Sequence, residues 1–482
     1  MKNLLVLFVI MLFAVNTSAQ SGERFYATMN VVDAKALKKD IPNEITIVAT
    51  KQNEAVVFMT ADAAHKLHDR ILVHGPGYIF KASKEDALQA LERQGATNNR
   101  VVMPFTISED AAVTQVLEAI NTQNIEDHIL ELESYGTRYH TMAQATQAAQ
   151  DLKTKWEAMA TLYNRDDVTV RLYNHANTGM PSVILTIEGI EFPEEFVIVG
   201  GHLDSTSNQG NNNAPGADDD ASGIATITEA TRALFEIGFV PKRTIEVMAY
   251  AAEEIGLVGS AEIAQDYASN NVNVIAVGQF DMTNFNGSAT DVSLISDFTN
   301  ADLNEFFTEL MDHYNASGEH QITYGSSLCN YGCSDHASWT AEGYMASFPF
   351  ESSFGQHNDN IHTAGDTFSV SGTADHATKF AKLCAEFLIE VAKSNIVLTV
   401  NETANSKVFA AITNNDLVYD FSASGISFTS LEMYDAMGKK VLQQTITNSK
   451  GAVPVSKLAS GVYVIQFAND ANASVSKKVL KN

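Results

Sequence analysis

Histidine and carboxylate residues recur at one kind of position in this sequence, at or just after the ends of apolar stretches. Phe196–Val199 is followed by His202 and Asp204, and a polar loop then leads to three consecutive aspartates, 218–220. An imidazole with several carboxylates suits a divalent metal of the zinc type. Asp204 lies two residues after His202, where it could orient the imidazole ring. The acidic loop could instead be solvated and cap the next helix, since aspartate is a good N-cap residue.

Four further clusters of potential ligands favour the metal interpretation. They follow other apolar strands or lie close to them in sequence: Glu253-Glu254, Asp281, Asp335-His336, and His362 with Asp366. Because the carboxyl ends of parallel strands meet at one edge of a sheet, we expect these groups to converge there.

The adjacent pair Glu253-Glu254 is informative because two neighbouring carboxylates repel each other unless a cation compensates them. Successive side chains point in different directions, so one glutamate can be a ligand while the other stays a free base. Two histidines and three carboxylates can hold two zinc ions if one carboxylate bridges them. The spacing does not choose between His336 and His362, or among the three aspartates.

The elements that must position these groups alternate between strands and helices. Strand patterns occur at 168–172, 182–187, 196–200, 243–250 and 274–280, and helical patterns at 111–121, 142–163, 224–235, 257–267 and 374–393. This alternation predicts an α/β fold with a mostly parallel central sheet and helices on both faces. The preceding segment reads as a small α+β unit, with paired strands at 45–48 and 55–58.

The N-terminus predicts export from the cytoplasm. Lys2, an apolar core from Leu4 to Val15 and the small residues before position 20 are typical of a signal peptide, 1–19. The apolar core is too short to span a membrane. With 58 acidic and 31 basic residues the formal charge is −27, which disfavours nucleic acid or anionic membranes as partners.

Three cysteines are compatible with an oxidising compartment. Cys329 and Cys333 could close a small disulfide loop, and Cys384 lies in an apolar helix as a buried thiol. Metal ligation by Cys329 and Cys333 is the alternative, but no second cysteine or Cys-His pair accompanies them.

The C-terminal residues 396–482 change to short alternating strands and turns, which predicts a small β-sandwich. Asp435-Ala436-Met437-Gly438-Lys439, the turn Leu458–Tyr463 and the basic end 477–481 resemble the sorting domain of type IX secretion substrates. The Tyr-Pro-Asn-Pro opening usual in that domain is absent. The resemblance implies a secretion machinery as partner, and an extracellular or cell-surface location.

The central region, 103–395, resembles the secreted bacterial leucyl aminopeptidases, which are co-catalytic di-zinc exopeptidases. The motifs stand in order: Gly-Gly-His-Leu-Asp-Ser, Ala-Pro-Gly-Ala-Asp-Asp-Asp-Ala-Ser-Gly, Ala-Ala-Glu-Glu, Asp-Met-Thr-Asn, Cys-Ser-Asp-His and Ile-His-Thr. The resemblance implies hydrolysis of N-terminal residues from peptides. It also implies that residues 20–102 form a propeptide-like segment, either folding-assisting or inhibitory, and a permanent accessory domain is the alternative.

The resemblance assigns a role to individual residues. It implies that Asp219 bridges two zinc ions, that His202 and Asp281 complete one site, and that Glu254 and His362 complete the other. Glu253 would be the general base, and Tyr331 would help to stabilise the oxyanion. The resemblance also implies a cis peptide bond between Asp219 and Asp220.

An apolar pocket is implied for the first substrate residue, which favours leucine-like or aromatic side chains. Its positions are Met282, Ile295, Cys333, Phe350, Phe354 and Ile361. His357 departs from the family pattern, which has an aromatic residue there. We expect a monomer.

Two alternatives to the aminopeptidase hypothesis remain open in the sequence. One is another exopeptidase or a glutaminyl-cyclase-like enzyme on the same fold. The cyclase-like enzyme would bind one zinc ion. The other is an inactive binding protein displayed on the cell surface. The intact Glu253 and the full ligand set disfavour an inactive protein.

Overall fold

The computed structural model describes residues 24–68, 75–93, 105–393, 408–413, 415–422, 427–435, 439–469 and 474–481. The signal peptide and the domain boundaries predicted at 102/103 and 395/396 lie outside these ranges. The chain divides into two compact units, Met1–Asn395 and Ile396–Asn482. Within the described residues, no helix combines the length and the apolar character needed to cross a bilayer.

The N-terminal segment is a small α+β unit, as predicted. Its elements are β1 (Arg24–Asn30), α1 (Val31–Asp40), β2 (Ile45–Lys51), β3 (Glu54–Thr60), α2 (Ala61–His68), β4 (Tyr78–Lys81) and α3 (Lys84–Arg93). The strands form an antiparallel sheet in the order β2-β3-β1-β4. Buried apolar residues from β1, β3, α1 and α2 form its core.

The region from 105 to 393 is the α/β unit. Its helices are α4 (Asp110–Ala119), α5 (Thr122–Glu133), α6 (Ala143–Leu162), α7 (Gly223–Glu236), α8 (Val258–Ser269), α9 (Ala301–Tyr314), α10 (His336–Ala341) and α11 (Asp375–Ala392). Its strands are β5 (Val168–Tyr173), β6 (Ser182–Ile187), β7 (Phe192–His202), β8 (Arg243–Tyr250), β9 (Asn273–Gln279), β10 (Val292–Ile295), β11 (Tyr324–Ser327), β12 (Ala346–Ser347) and β13 (Pro349–Phe350).

The central sheet has the order β12-β9-β7-β8-β6-β5, which confirms the predicted mostly parallel sheet. The four strands from β12 to β8 run parallel. At one edge β6 pairs antiparallel with β8, and β5 pairs antiparallel with β6. Helices α8 and α10 pack on one face, and α7 and α11 pack on the other. A second sheet has the order β11-β10-β13, with β11 parallel and β13 antiparallel to β10.

Helix α5 was not predicted from the sequence. Only Ile120 and Asn121 separate it from α4, so the apolar periodicity of one helix runs into that of the next. Asn121 marks the boundary, because its side chain accepts a hydrogen bond from the Gln123 N–H and caps α5.

The C-terminal unit confirms the predicted β-sandwich. Its strands are β14 (Phe409–Thr413), β15 (Asp416–Asp420), β16 (Ser430–Asp435), β17 (Lys440–Thr445), β18 (Lys450–Pro454), β19 (Gly461–Ala468) and β20 (Ser474–Lys481). They form the antiparallel sheets β14-β15-β18 and β17-β16-β19-β20. Residues from both sheets, such as Leu417 and Phe467, share one buried core.

Helix α11 buries a carboxyl group away from the ligand clusters, and this group gives a test of the fold. Burial raises the pKa of Glu386 from 4.5 to about 8, against the hydrogen bond from Asn315. When a carboxyl group has a higher pKa in the folded state than in the unfolded state, the free energy of unfolding of the protein falls as the pH rises from the unfolded pKa to the folded pKa.

We therefore expect Glu386→Gln to change the pH dependence of folding. The free energy of unfolding of the variant minus that of the wild type should grow between pH 5 and pH 8, by a few kcal/mol. Urea unfolding at several pH values measures this difference. Glu305→Gln, on the exposed face of α9, is the matched control and should give a flat difference. A flat curve for Glu386→Gln would contradict the expectation.

Candidate metal centre and active site

The three neighbouring parallel strands of the sheet bring the predicted ligands to one edge. His202 is the last residue of β7 and pairs in register with Tyr250, the last residue of β8, three residues before Glu253. Gly200 of β7 pairs with Gln279 of β9, two residues before Asp281. The sheet register therefore explains why clusters far apart in sequence converge.

Asp219 lies between the two histidines. Its Oδ1 is 2.9 Å from Nε2 of His202 and its Oδ2 is 3.1 Å from Nε2 of His362. Asp281 Oδ1 lies 3.5 Å from His202 Nε2, and Glu254 Oε2 lies 3.2 Å from His362 Nε2. Two groups result, His202-Asp219-Asp281 and Asp219-Glu254-His362, and within each the ligand atoms lie within 4.8 Å of one another.

These two groups contain the five residues that the sequence analysis names as ligands, with Asp219 in both. Among the described residues, His336 belongs to neither group. Its buried ring instead packs against Phe348, with ring centroids 4.9 Å apart. The peptide bond between Asp219 and Asp220 is cis, as expected.

The electrostatics of the centre fit a bound cation. Burial lowers the pKa of His202, but the carboxylates of Asp281, Asp204 and Asp219 outweigh it, so the pKa is well above its usual range. The same balance, with Glu254 and Asp219 as the acids, raises the pKa of His362. The field of the centre thus stabilises positive charge. Histidine nitrogens and carboxylate oxygens in groups of three are ligands that zinc prefers.

Asp204 connects the two glutamates to the strand end. Its Oδ1 accepts a hydrogen bond from the N–H of Glu253 at 2.9 Å, and its Oδ2 accepts from the N–H of Glu254 at 3.3 Å. Nδ1 of His202 lies 3.1 Å from the backbone oxygen of Asp204 and 3.6 Å from its carboxylate. The nearer contact of the imidazole is therefore the backbone of Asp204.

The metal-ligand loops are held by carboxylates that the sequence analysis did not assign. Asp366 accepts hydrogen bonds from the N–H groups of Asp218 and Asp219, each at 3.1 Å. Asp220 accepts from the N–H of His202 at 2.9 Å and from that of Met282 at 3.0 Å. Burial raises the pKa of Asp366 and of Asp220 well above the usual range.

Glu351 adds a further buried carboxyl that sequence reasoning missed. It accepts hydrogen bonds from the N–H groups of Phe285 and Asn358, and burial followed by the charge of Asp218 raises its pKa. Burial also raises the pKa of Asp218 to about 6. The sequence offers no periodic signal for Glu351, because it lies in an irregular segment after β13.

The six predicted pocket residues belong to one apolar cluster. The cluster comprises Met282, Ile295, Cys329, Tyr331, Cys333, Phe348, Phe350 and Ile361, with Phe354 packed against it. Phe348 is the member that the sequence analysis did not name. His357 packs against this cluster, 6.2 Å from the ring of Phe350 and 6.0 Å from that of Phe354.

Tyr331 lies in the loop closed by the disulfide between Cys329 and Cys333, which confirms the predicted pairing. Cys384 is a free, buried thiol, as predicted. Burial, followed by the nearby Glu253 carboxylate, raises the pKa of Tyr331 well above its usual range. The phenol therefore stays protonated and can donate a hydrogen bond.

Comparisons with known proteins agree with this geometry. Residues 182–388 match the family described as Peptidase family M28, and residues 413–482 match the secretion system C-terminal sorting domain. A probable leucine aminopeptidase of Arthroderma benhamiae is 33% identical over 336 residues, covering 68% of this chain and 88% of that relative. Leucine aminopeptidase 1 of Coccidioides posadasii is 32% identical over 307 residues, 61% of this chain and 77% of the relative.

Two solved structures from Legionella pneumophila are also similar. The LapA aminopeptidase superposes with a TM-score of 0.65 at 29% identity, covering 77% of this chain and 99% of LapA. LapB gives a TM-score of 0.66 at 27% identity, covering 77% of this chain and 100% of LapB.

Removal of metal should lower the stability of the α/β unit, because the buried carboxylates then repel one another without compensation. Free zinc at about 100 times its Kd should raise the free energy of unfolding by about 2.7 kcal/mol over the chelator-treated protein. Thermal unfolding measures this as a shift of several degrees.

His202→Ala should reduce the zinc-dependent shift. His313→Ala is the matched control, because His313 is about half exposed on α9 and contacts Asp110. It should leave the shift unchanged. Identical unfolding temperatures for zinc-loaded and metal-free wild type would contradict the metal interpretation.

Proposed function

This chain belongs to peptidase family M28 and carries a C-terminal secretion sorting domain, and from that premise we propose that it is a secreted zinc aminopeptidase acting on large apolar N-terminal residues. The observation that carries the proposal is the pair of ligand groups that share Asp219, buried except for the partly exposed His362, with Glu253 adjacent to Glu254 in sequence. The relatives named as leucine aminopeptidases support the choice of substrate.

We assign one zinc ion to His202, Asp219 and Asp281, and a second to Asp219, Glu254 and His362. Zinc ions held this way polarise a carbonyl group and lower the pKa of an attacking water. The separate oxygens of Asp219, each facing a different histidine, support the count of two.

In the proposed mechanism, Glu253 takes the proton of the attacking water and delivers it to the leaving amine. The side chain of Glu253 is fully buried in the uncut chain. Tyr331 donates a hydrogen bond to the oxyanion. Asp204 fixes the backbone of both glutamates through their N–H groups.

The apolar cluster beside the centre would bind the first side chain of the substrate. Met282, Cys333 and Ile361 lie close in sequence to Asp281, Tyr331 and His362, and Phe350 and Phe354 add aromatic surface. The free α-amine of the substrate would lie against the carboxylate ligands, and this restricts cleavage to the chain end. Large apolar residues gain most from such a pocket.

Glu253 and Glu254 provide the sharpest test, because they are adjacent and chemically alike. Glu253→Ala should keep both zinc ions and the fold, while kcat falls by roughly 10²–10⁴-fold. Glu254→Ala removes a ligand, so one zinc should be lost or weakly bound and added zinc should partly restore the rate. Hydrolysis of leucine p-nitroanilide and elemental analysis measure the two effects.

The reversed pattern, metal lost in Glu253→Ala and kept in Glu254→Ala, would reverse the two assignments. If neither substitution lowers the rate tenfold, the reaction takes place elsewhere and the proposal fails.

We also propose that residues 20–102 are a propeptide-like segment that covers the active site, following the predicted signal peptide 1–19. The N–H of Phe80 in β4 donates to the carbonyl of Gly256 at 2.8 Å, just after Glu253-Glu254. Tyr78 is buried there, and its raised pKa has burial as its main cause, with charges that include Glu253. A Cβ on Gly256 would lie 2.5 Å from the Tyr78 ring.

The same segment also contacts the disulfide loop and lines a cavity beside Glu254. A Cβ on Gly75 would lie 2.4 Å from the carbonyl oxygen of Cys333. A cavity of about 250 Å³ is left between Tyr78 and Phe80 on one side and Tyr139 and Glu254 on the other. These contacts favour an inhibitory role over a purely folding-assisting one, since the segment lies beside Glu254 and the disulfide loop, where the proposed mechanism puts the substrate.

We therefore expect the uncut chain to be less active than the chain cleaved within residues 94–104 and freed of the segment. Tyr78→Ala should raise kcat/KM of the uncut chain at least fivefold, because it removes the ring beside Glu253. Tyr26→Ala is the matched control in the same segment, since Tyr26 packs against Phe58 instead. Equal activity before and after cleavage would contradict the covering role.

A further inference from the structure

Arg138 is buried beneath the metal centre, and none of the motifs discussed above includes it. It lies in the turn between α5 and α6 and is fully buried. A guanidinium is rarely taken out of water, so its donors must be satisfied inside the protein. Four hydrogen bonds of its side chain all go to backbone carbonyl oxygens.

Three of the four carbonyls belong to segments that carry the proposed metal ligands. Nε donates to Leu203 at 2.8 Å, directly after His202. Nη1 donates to Pro215 at 2.7 Å and Nη2 donates to Gly216 at 2.8 Å, on the approach to Asp219. A fourth bond, from Nη1 to Leu132 at 3.1 Å, anchors the guanidinium to the last turn of α5.

The backbone of Arg138 is tied to the same two loops. Its N–H donates to Oγ of Ser205 at 3.0 Å, and Oγ of Ser205 donates to the carbonyl of Ala214 at 2.7 Å. The N–H of Ala214 donates to the carbonyl of Gly136 at 3.0 Å. Both the side chain of Arg138 and the backbone around it therefore bind the loop that follows His202 and the loop that precedes Asp219.

Gly216 shows how closely the parts fit. It has φ +56°, and a Cβ there would lie 2.5 Å from Cβ of Ser205 and 3.0 Å from Nη2 of Arg138. Only glycine allows the Gly216 carbonyl to meet the guanidinium without displacing one of these groups.

The charge of Arg138 also acts on the centre. Burial lowers the pKa of the guanidinium, and the carboxylates of Asp366, Asp220, Asp204 and Asp219 oppose this. An arginine stays protonated in proteins. Because its hydrogen bonds go to carbonyls, the positive charge relieves the repulsion among the carboxylates without occupying the oxygens that hold metal.

We propose that Arg138 is a positioning residue whose guanidinium sets the spacing between the loops of His202 and Asp219. The inference rests on the zinc centre of the proposed function. It predicts that zinc affinity depends on the planar guanidinium with its several N–H donors, and not on the positive charge alone. A lysine keeps the charge but offers one nitrogen, which cannot reach carbonyls of three separate segments.

The test is zinc affinity, measured on the metal-free full chain by competition with a chromogenic chelator. Arg138→Lys should weaken zinc binding about 10–100-fold, the usual effect of losing an outer-shell partner of a metal site. The visible absorption spectrum of the cobalt-loaded variant should also change, because the ligand geometry changes. Wild type is titrated first, so that failure to bind zinc at all refutes the proposed function and this inference together.

Arg232→Lys is the matched control. Like Arg138, Arg232 has several acceptors, which are Glu229, Glu236 and the carbonyl of Ala119, but it is only partly buried and lies on α7 away from the ligands. Its substitution should leave zinc affinity within twofold and the cobalt spectrum unchanged, while lowering the unfolding temperature of the metal-free protein. This separates a general loss of packing from a displaced centre.

Zinc affinity of Arg138→Lys within twofold of wild type would overturn the inference. If Arg138→Lys does not fold, Ser205→Ala decides. It keeps the guanidinium but removes the hydroxyl between Arg138 and Ala214, and it should weaken zinc binding at least threefold. Unchanged affinity in Ser205→Ala would then overturn the inference.

Discussion

The arrangement of this site depends on one carboxylate that lies between two histidines and is surrounded by other buried carboxyl groups. Asp219 places one oxygen near His202 and the other near His362. Glu254 and Asp281 complete the two groups. Buried carboxylates this close are unfavourable unless positive charge compensates them. The elevated pKa of each histidine reflects the same demand.

The fold compensates the buried negative charge with hydrogen bonds from backbone N–H groups as well as with charged side chains. Asp204, Asp220 and Asp366 each accept two or more backbone N–H groups from segments distant in sequence. Each carboxylate therefore joins two loops and is itself held in place. The positions of the ligands depend on loops at the sheet edge, and the regular helices and strands only deliver those loops to the edge.

The difference between the regular strands and the loops that hold the ligands explains how much of the site could be predicted from the sequence. Apolar runs reveal strands, so the positions of His202 and Asp281 after β7 and β9 could be predicted from pattern alone. Strand direction has no such signal, so the reversed direction of β6 could not be predicted from its apolar pattern. The choice of His362 over His336 required the family resemblance, because sequence spacing does not determine the side-chain direction of His336 at the start of α10 or of His362 in an irregular segment.

The N-terminal segment shows the limit of reasoning from chemically distinctive residues. Its contacts with the α/β unit involve a backbone hydrogen bond from Phe80, apolar packing of Ile79, and two glycines at the closest approaches. None of these is unusual in composition. Gly75 and Gly256 matter because a Cβ on Gly75 would collide with the backbone of Cys333, and a Cβ on Gly256 would collide with the ring of Tyr78. These contacts depend on complementary shape, which arises only when the segment and the α/β unit are folded against each other.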